Sequence, residues 1–97
     1  LLKLLRSIEK KDAESLIRRV LGPLVMHEEL METLRVYSQH QGRWARTKDA
    51  LNIHGNTLTY RLRKIESLIN LEVKEYPDRL LIDLACELYP LWPEALH

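Results

Sequence analysis

Apolar residues recur at every third or fourth position along most of this chain, and that spacing predicts a series of short amphipathic helices. A first apolar stripe runs from Leu1 to Ile8. Lys10-Lys11-Asp12 interrupts it, and a second stripe runs from Leu16 to Leu21 with Asp12 as its predicted N-cap. Gly22-Pro23 is a typical helix stop. The first quarter of the chain is therefore expected to hold two short helices.

Four further helices are predicted downstream, with bounds His27–Gln41, Trp44–Leu51, Gly55 to Ile69 or Asn70, and Pro77–Leu88. The tight turn between the second and third of these contains Asn52, which tolerates a left-handed backbone better than most residues. Leu71-Glu72-Val73-Lys74 alternates like a β-strand, but the sequence holds no convincing partner strand. The whole pattern predicts an all-α fold, a small helical bundle.

A length of 97 residues fits one domain with a modest core and little room for a deep substrate cleft. No apolar run is long enough to span a bilayer, and no signal peptide is recognisable. The single cysteine, Cys86, excludes an internal disulfide. We therefore expect a cytoplasmic protein without a membrane partner. Since the chain starts within an apolar stripe and without Met, we expect it to be a fragment of a longer protein.

Charge is distributed unevenly although the formal net charge is only +1. Between residues 43 and 64 the single acid is Asp49, whereas the basic residues are Arg43, Arg46, Lys48, Arg61, Arg63 and Lys64. Residues 72–87 are mainly acidic. A basic centre followed by an acidic stretch indicates an anionic partner for the centre of the chain.

The helix predicted from Gly55 combines a narrow apolar stripe with a polar opposite face. The stripe consists of Leu58, Leu62, Ile65 and Ile69. The opposite face carries Asn56, Tyr60, Arg63 and Ser67, with Lys64 beside it and Thr57 and Thr59 on its flanks. Asn can pair with adenine, Arg with guanine or phosphate, and hydroxyl groups with phosphate. The face suits DNA; the alternative is a solvated face whose Arg63 and Lys64 pair with Glu66 or Glu75.

A short helix, a tight turn and a longer helix predict a helix-turn-helix, in which the N-terminal end of the second helix projects and can enter the major groove. The backbone N–H groups of Gly55 to Thr57 add a site favourable to anions. Gly55 either allows the backbone to approach DNA closely or only eases the turn. The arrangement therefore predicts that the helix starting at His54-Gly55-Asn56-Thr57 contacts DNA.

The run from Leu51 to Glu66, which reads LNIHGNTLTYRLRKIE, resembles the C-terminal helix-turn-helix of PucR-type (purine catabolism regulator) and sugar-diacid transcriptional regulators. Weaker similarity extends over the flanks, so that the resemblance covers about residues 22–88. The flanking segments are Gly22-Pro23-Leu24, Leu34-Arg35-Val36-Tyr37, Gln41-Gly42, Leu71-Glu72-Val73 and Pro77-Asp78-Arg79-Leu80. Fis-type DNA-binding proteins share the same general helix pair.

The resemblance implies a Fis-like all-α bundle with an embedded helix-turn-helix, at the C-terminus of a bacterial transcriptional regulator. Such regulators usually carry a sensor region upstream and act on double-stranded DNA as dimers or larger assemblies, and a homodimer is expected here. On this basis residues 1–26 are predicted to be a helical lead-in or linker with a role in dimerisation. Residues 27–91 are the predicted DNA-binding domain and residues 92–97 a C-terminal tail.

Three residues depart from the family pattern. Gly55 stands where the family usually has Arg, which removes one expected DNA contact, and Arg43 replaces a common Asn. Lys48 lies where the first helix of the pair usually packs a small residue against the second, so its side chain must either extend towards solvent or shift the helix pair. The departures leave the fold unchanged and bear on base preference.

The predicted DNA contacts fall into two groups. Base edges or the adjacent backbone are assigned to Asn56, Thr57, Thr59 and Tyr60. Phosphate contacts are assigned to Arg43, Arg46, Arg61, Arg63 and Lys64, with His54 and the backbone of Gly55 at the helix start. We expect sequence-specific DNA binding with residues 55–69 as recognition helix. The alternative is a helical dimerisation or protein-interaction module with weak or lost DNA binding.

Other chemically suggestive residues do not indicate an enzyme, a metal site or a cofactor. The four His residues are dispersed, Cys86 is expected to be a buried thiol, and Trp44 a packing lid rather than a base-stacking platform. No phosphate-binding Gly loop or nucleophile–base pair is present in the sequence. Residues 1–21 are expected to pack on an upstream region or a second copy, or else over the same core.

Overall fold

The computed structural model describes residues 7–97, which form five α-helices and no strand. The helices are α1 (Lys10–Leu21), α2 (Glu28–Gln39), α3 (Trp44–Leu51), α4 (Gly55–Ile69) and α5 (Asp78–Leu88). Short 3-10 turns follow at Gly22–Leu24, Tyr89–Leu91 and Pro93–Leu96. The all-α fold predicted from the apolar spacing is confirmed. The stripe at Leu1, Leu2, Leu4 and Leu5 lies outside the described residues.

One continuous hydrophobic core joins the apolar faces of all helices except α3. α1 packs against α5 on one side, and α2 packs against α4 on the other. The core side chains that are completely inaccessible include Ile17, Leu34, Leu58, Ile65 and Leu88. α3 contributes the buried Thr47, and its last residue, Leu51, packs against the edge of this core. The recognition-helix candidate α4 is thus held by its apolar stripe, while α3 remains peripheral.

α1 belongs to the same core and begins earlier than its sequence indicates. Its first residue is Lys10 and its N-cap is Glu9, so the prediction that Asp12 caps the helix is wrong. Asp12 lies in the first turn, where its negative charge favours the helix dipole. Because Ile17 and Val20 are fully buried, the predicted division at residue 26 marks no break in packing. Of the packing alternatives for this segment, the described part covers the core of its own chain.

The predicted C-terminal tail is folded back onto α1. Ala95 in the 3-10 turn Pro93–Leu96 is buried, and this turn packs against α1. Lys10 forms an ion pair with Glu94 at 3.8 Å, and its ammonium lies 5.7 Å from the ring centroid of Trp92. The start of α1 and the end of the chain are therefore neighbours.

The strand-like segment after α4 is an ordered turn. Leu71 and Val73 are buried while Glu72 and Lys74 are exposed. The alternating sequence therefore reflects alternating burial of the side chains, although the backbone is not a β-strand. The backbone N–H of Val73 donates to Glu66 Oε2 at 2.9 Å, and that of Glu72 donates to an Asp78 carboxylate oxygen at 2.9 Å. Side-chain acceptors thus replace the hydrogen bonds that a partner strand would supply.

The connection between α2 and α3 is held by α5. Gln41 and Gly42 both have left-handed backbones, with φ of 57° and 72°. The Arg79 guanidinium donates to the carbonyl oxygen of Gln41 and lies against Gly42, and its Nε is 3.8 Å from Asp83. α5 thereby sets the point at which the chain enters α3.

Candidate nucleic-acid interface

α3 and α4 form the predicted helix-turn-helix, joined at a left-handed residue. Asn52 has φ 53° and ψ 51°, and the N–H of Ile53 donates to the carbonyl of Lys48 at 3.2 Å. This closes the last turn of α3 and leaves three residues, 52–54, between the two helices. His54 is extended and serves as the N-cap of α4, although its imidazole does not cap the helix. The predicted turn, its left-handed Asn and the predicted helix bounds are confirmed.

α4 divides into the two faces that its sequence predicts. Leu58, Leu62, Ile65 and Ile69 are at most 5% exposed. We define the polar face of α4 as its exposed residues Asn56, Tyr60, Arg63, Lys64 and Ser67. Tyr60 is 64% exposed, although burial of an aromatic side chain is normally favourable. An exposed Tyr within a row of amide and basic groups is typical of a binding surface.

Among the described residues, the two basic side chains of the polar face form no ion pair. In residues 7–97 neither Arg63 nor Lys64 is within 4 Å of a carboxylate oxygen. Glu66, one of the acids considered as their partner, accepts instead from the backbone of Val73. In residues 7–97, Arg63 and Lys64 therefore do not form the internal ion pairs with Glu66 or Glu75 that were the alternative to DNA contacts.

Arg61 points away from the polar face, towards α2. Its guanidinium donates to Thr33 Oγ1 at 3.3 Å and lies 3.6 Å from a Glu29 carboxylate oxygen. Its side chain is only 20% exposed. Arg61 thus joins α2 to α4, a geometry that differs from the phosphate contact predicted for it. A helical wheel places Arg61 on a flank but does not show that α2 covers that flank.

The flanking threonines lie at the margins of the polar face. Thr57 and Thr59 are both half-buried. Thr59 lines a shallow cleft together with Trp44, Leu62 and Arg63. The structure therefore places Thr59 between the polar face and α3.

The basic residues of α3 flank the start of the helix pair. Arg43, the N-cap of α3, and Arg46 are exposed. Lys48 is half-buried along its stem and places its ammonium 3.1 Å from Asp49, in agreement with the extended geometry expected of it. The buried position of α3 is instead Thr47, whose hydroxyl donates to the Arg43 carbonyl at 2.7 Å. Two cations, Arg43 and Arg46, therefore remain exposed at the start of α3, the helix that packs against α4.

Trp44 lies directly on Gly55, a contact that sequence reasoning missed. A Cβ atom at Gly55 would be 2.6 Å from Trp44 Cη2 and 2.9 Å from Cζ2, closer than carbon atoms can approach. Trp44 as a whole nevertheless remains 39% exposed. The only sequence signal was the joint presence of a large aromatic residue at the start of α3 and a glycine at the start of α4.

The remaining candidates carry no alternative chemistry. No group of three or more His, Cys, Asp or Glu residues within residues 7–97 could hold a metal ion. Burial raises the pKa of the Cys86 thiol to about 12, which keeps it protonated and weakly nucleophilic at neutral pH. In the same described range, no helix is both long and apolar enough to cross a membrane.

A five-helix bundle with a short helix, a left-handed turn and a longer helix with an exposed polar face defines a helix-turn-helix domain. The family model of the PucR C-terminal helix-turn-helix domain matches residues 30–88. The chain therefore belongs to this family, whose fold and DNA-binding class agree with the geometry of α3 and α4. The predicted family is confirmed.

The curated relatives include transcriptional regulators. The carbohydrate diacid regulator of Escherichia coli is 41% identical over 61% of this chain and 15% of its own length. The transcriptional activator PmfR of Paenarthrobacter nicotinovorans is 32% identical over 84% of the chain and 18% of its own length. The uncharacterised protein YsfB of Bacillus subtilis is 41% identical over 63% and 17%. The chain thus spans less than a fifth of each of these three relatives. No solved structure gives a significant match.

Proposed function

We propose that this domain binds DNA sequence-specifically, with α4 as the recognition helix in the major groove. The observation that carries the proposal is the polar face of α4, where Asn56, Tyr60, Arg63 and Lys64 are exposed together while the opposite side of the helix is fully buried. An α-helix fits the major groove, and its N-terminal residues are the ones that reach base edges. Asn56 and Tyr60 are therefore assigned to bases or the adjacent backbone.

Phosphate contacts are assigned to the exposed cations around this face. Arg63 and Lys64 extend from α4, and Arg43 and Arg46 extend from the start of α3. His54 and the first-turn N–H groups of α4 add further donors next to the same surface. Arg61 is left out of this set because Thr33 and Glu29 already engage its guanidinium.

The proposal extends to a homodimer within a larger bacterial regulator. One domain offers one recognition helix, and two copies would present two of them about 34–36 Å apart to a near-palindromic site. The names of these two relatives support a role in transcription, and their greater length leaves room for the sensor region that the proposal includes. The effector would act on that region.

Selection of binding sites from random duplex DNA with the 97-residue chain tests the proposal. Enrichment of one sequence family is expected. The Arg63→Ala/Lys64→Ala double variant should weaken binding to all sequences and reduce the salt dependence by about one unit of slope for each lost phosphate contact. The matched control is Lys11→Ala/Arg18→Ala, which removes two exposed charges from α1 and should leave the slope unchanged.

The role of Asn56 is tested in the same assay. Asn56→Ala should relax preference at particular base pairs, whereas uniform weakening would assign it to positioning on the backbone. If the folded chain enriches no sequence and binds duplex DNA without salt dependence, the proposal fails. The domain would then be a helical interaction or dimerisation module.

A further inference from the structure

The contact between Trp44 and Gly55 determines what the first turn of α4 presents to its surroundings. Atoms Cη2 and Cζ2 of the indole occupy the space that a Cβ at position 55 would need. No side chain other than hydrogen can therefore stand at this position while the ring keeps its place. The close approach of Trp44 is thus the reason for a glycine at position 55. The backbone conformation is not the reason, because Gly55 is the first residue of a regular helix.

The indole also borders the polar face of α4. Gly55, Thr59 and Arg63 follow one another at four-residue spacing and share one side of the helix. Trp44 covers the first of them and lines the cleft that contains the other two. Because 39% of Trp44 stays accessible, its ring forms part of the surface next to Arg63 rather than a closed layer of the core.

The exposed ring is chemically different from the arginine that the family usually has at position 55. The six-membered part of the indole has no hydrogen-bond donor or acceptor, whereas arginine forks onto guanine or phosphate. In the major groove, the apolar feature that distinguishes one base pair from the others is the 5-methyl group of thymine. A ring edge at the first turn of a recognition helix suits that group.

We propose that Trp44 is a specificity-determining residue, whose indole takes the place of a side chain at position 55 and contacts the 5-methyl group of a thymine. This inference rests on the proposed role of α4 as recognition helix. It assigns to α3 a base contact in addition to phosphate contacts.

The test replaces each thymine of the selected site in turn by deoxyuridine, which removes only the methyl group. At one position in each half-site, the 97-residue chain should lose about fourfold in affinity, the factor that corresponds to one buried methyl group. Trp44→Ala should bind the thymine and deoxyuridine forms equally at that position. Circular dichroism and a thermal melt establish that the variant is folded.

A second measurement uses the unaltered chain, so that it does not depend on folding of the variant. Duplex DNA with 5-bromodeoxyuridine at the sensitive position is irradiated, and the cross-linked peptide is identified by mass spectrometry. A cross-link at Trp44 is expected.

Two results overturn the inference separately from the proposed function. In the first, no thymine of the selected site affects affinity when deoxyuridine replaces it, so that there is no methyl contact to assign. In the second, folded Trp44→Ala still distinguishes thymine from deoxyuridine and the cross-link forms at another residue, so that Trp44 does not make the contact. In both cases α4 remains the recognition helix. A folded chain that enriches no sequence overturns the recognition-helix proposal and this inference together.

Discussion

Arg19 donates a 2.8 Å hydrogen bond from its guanidinium to the carbonyl of Ile69, the last residue of the helix that carries the polar face. Carbonyls at a helix C-terminus have no intrahelical partner and carry partial negative charge, so a cation is favourable there. α1 thus stabilises the C-terminal end of α4 directly, besides packing on α5. The segment upstream of the family match takes part in the stability of the helix-turn-helix.

Replacing Arg19 should therefore lower stability without altering the polar face. We expect Arg19→Met to reduce the free energy of unfolding by about 1 kcal/mol, the typical value of such a hydrogen bond. The exposed neighbour Arg18 is the matched control, and Arg18→Met should change stability by less than about 0.5 kcal/mol. Urea denaturation measures both; equal effects would contradict the assignment.

A chain that starts at residue 27 should not fold cooperatively. It lacks the fully buried side chains Ile17, Val20 and Leu21, which together contribute several kcal/mol of burial free energy to a marginally stable domain. Circular dichroism should show reduced helix content and a broad thermal transition. A sharp transition close to that of the full chain would show that α1 is dispensable.

Arg61 and Arg63 should separate stability from DNA affinity. Arg61→Met removes the hydrogen bond to Thr33 and the ion pair with Glu29, and should cost about 1 kcal/mol of stability with little change in the salt slope of DNA binding. Arg63→Met should do the reverse, because its side chain is exposed. If both variants change the salt slope of DNA binding equally, Arg61 contacts phosphate as Arg63 does.

The glycines at positions 42 and 22 offer a matched pair. Gly42→Ala places a Cβ 2.9 Å from Arg79 Cζ on a backbone with φ 72°, so we expect a loss of about 1–3 kcal/mol. Gly22 has a right-handed backbone and open space around its Cα, and Gly22→Ala should stabilise by about 0.4–1 kcal/mol. Thermal melts of the two variants should shift in opposite directions.

Gly55→Ala should displace the indole of Trp44. The new Cβ would lie 2.6 Å from Cη2, and the ring is accessible enough to swing towards solvent. In a Trp92→Phe background Trp44 is the single tryptophan, and its fluorescence emission should shift to longer wavelength. Emission unchanged in the folded variant would show that the ring does not rest on Gly55.

Much of this domain could be predicted from local patterns. The bounds of α3 and α4, the left-handed Asn52 and the buried stripe from Leu58 to Ile69 follow from periodicity and turn chemistry, which act over a few residues. The sequence predicts the N-cap of α1 at Asp12 rather than Glu9 because Lys10 and Lys11 resemble an interruption of the apolar pattern. Charged residues at a helix start are common when the apolar face begins one turn later.

Contacts between elements could not be predicted in this way. The direction of Arg61 depends on the position of α2, and the indole of Trp44 meets Gly55 only because α3 crosses the start of α4. Similarly, the alternation of Leu71 to Lys74 correctly indicates which side chains are buried, but the backbone bonds to Glu66 and Asp78 rather than to a strand. Each of these outcomes depends on tertiary geometry.

The ion pair between Lys10 and Glu94 has a mechanical consequence for any larger protein that contains this domain. The start of α1 and the end of the chain lie side by side. A module joined before α1 and a label placed after residue 97 would therefore lie on the same side of the bundle. In the proposed homodimer, the segment that joins this domain to the rest of the regulator would limit the spacing of the two α4 helices, and its length would limit which half-site separations can be bridged.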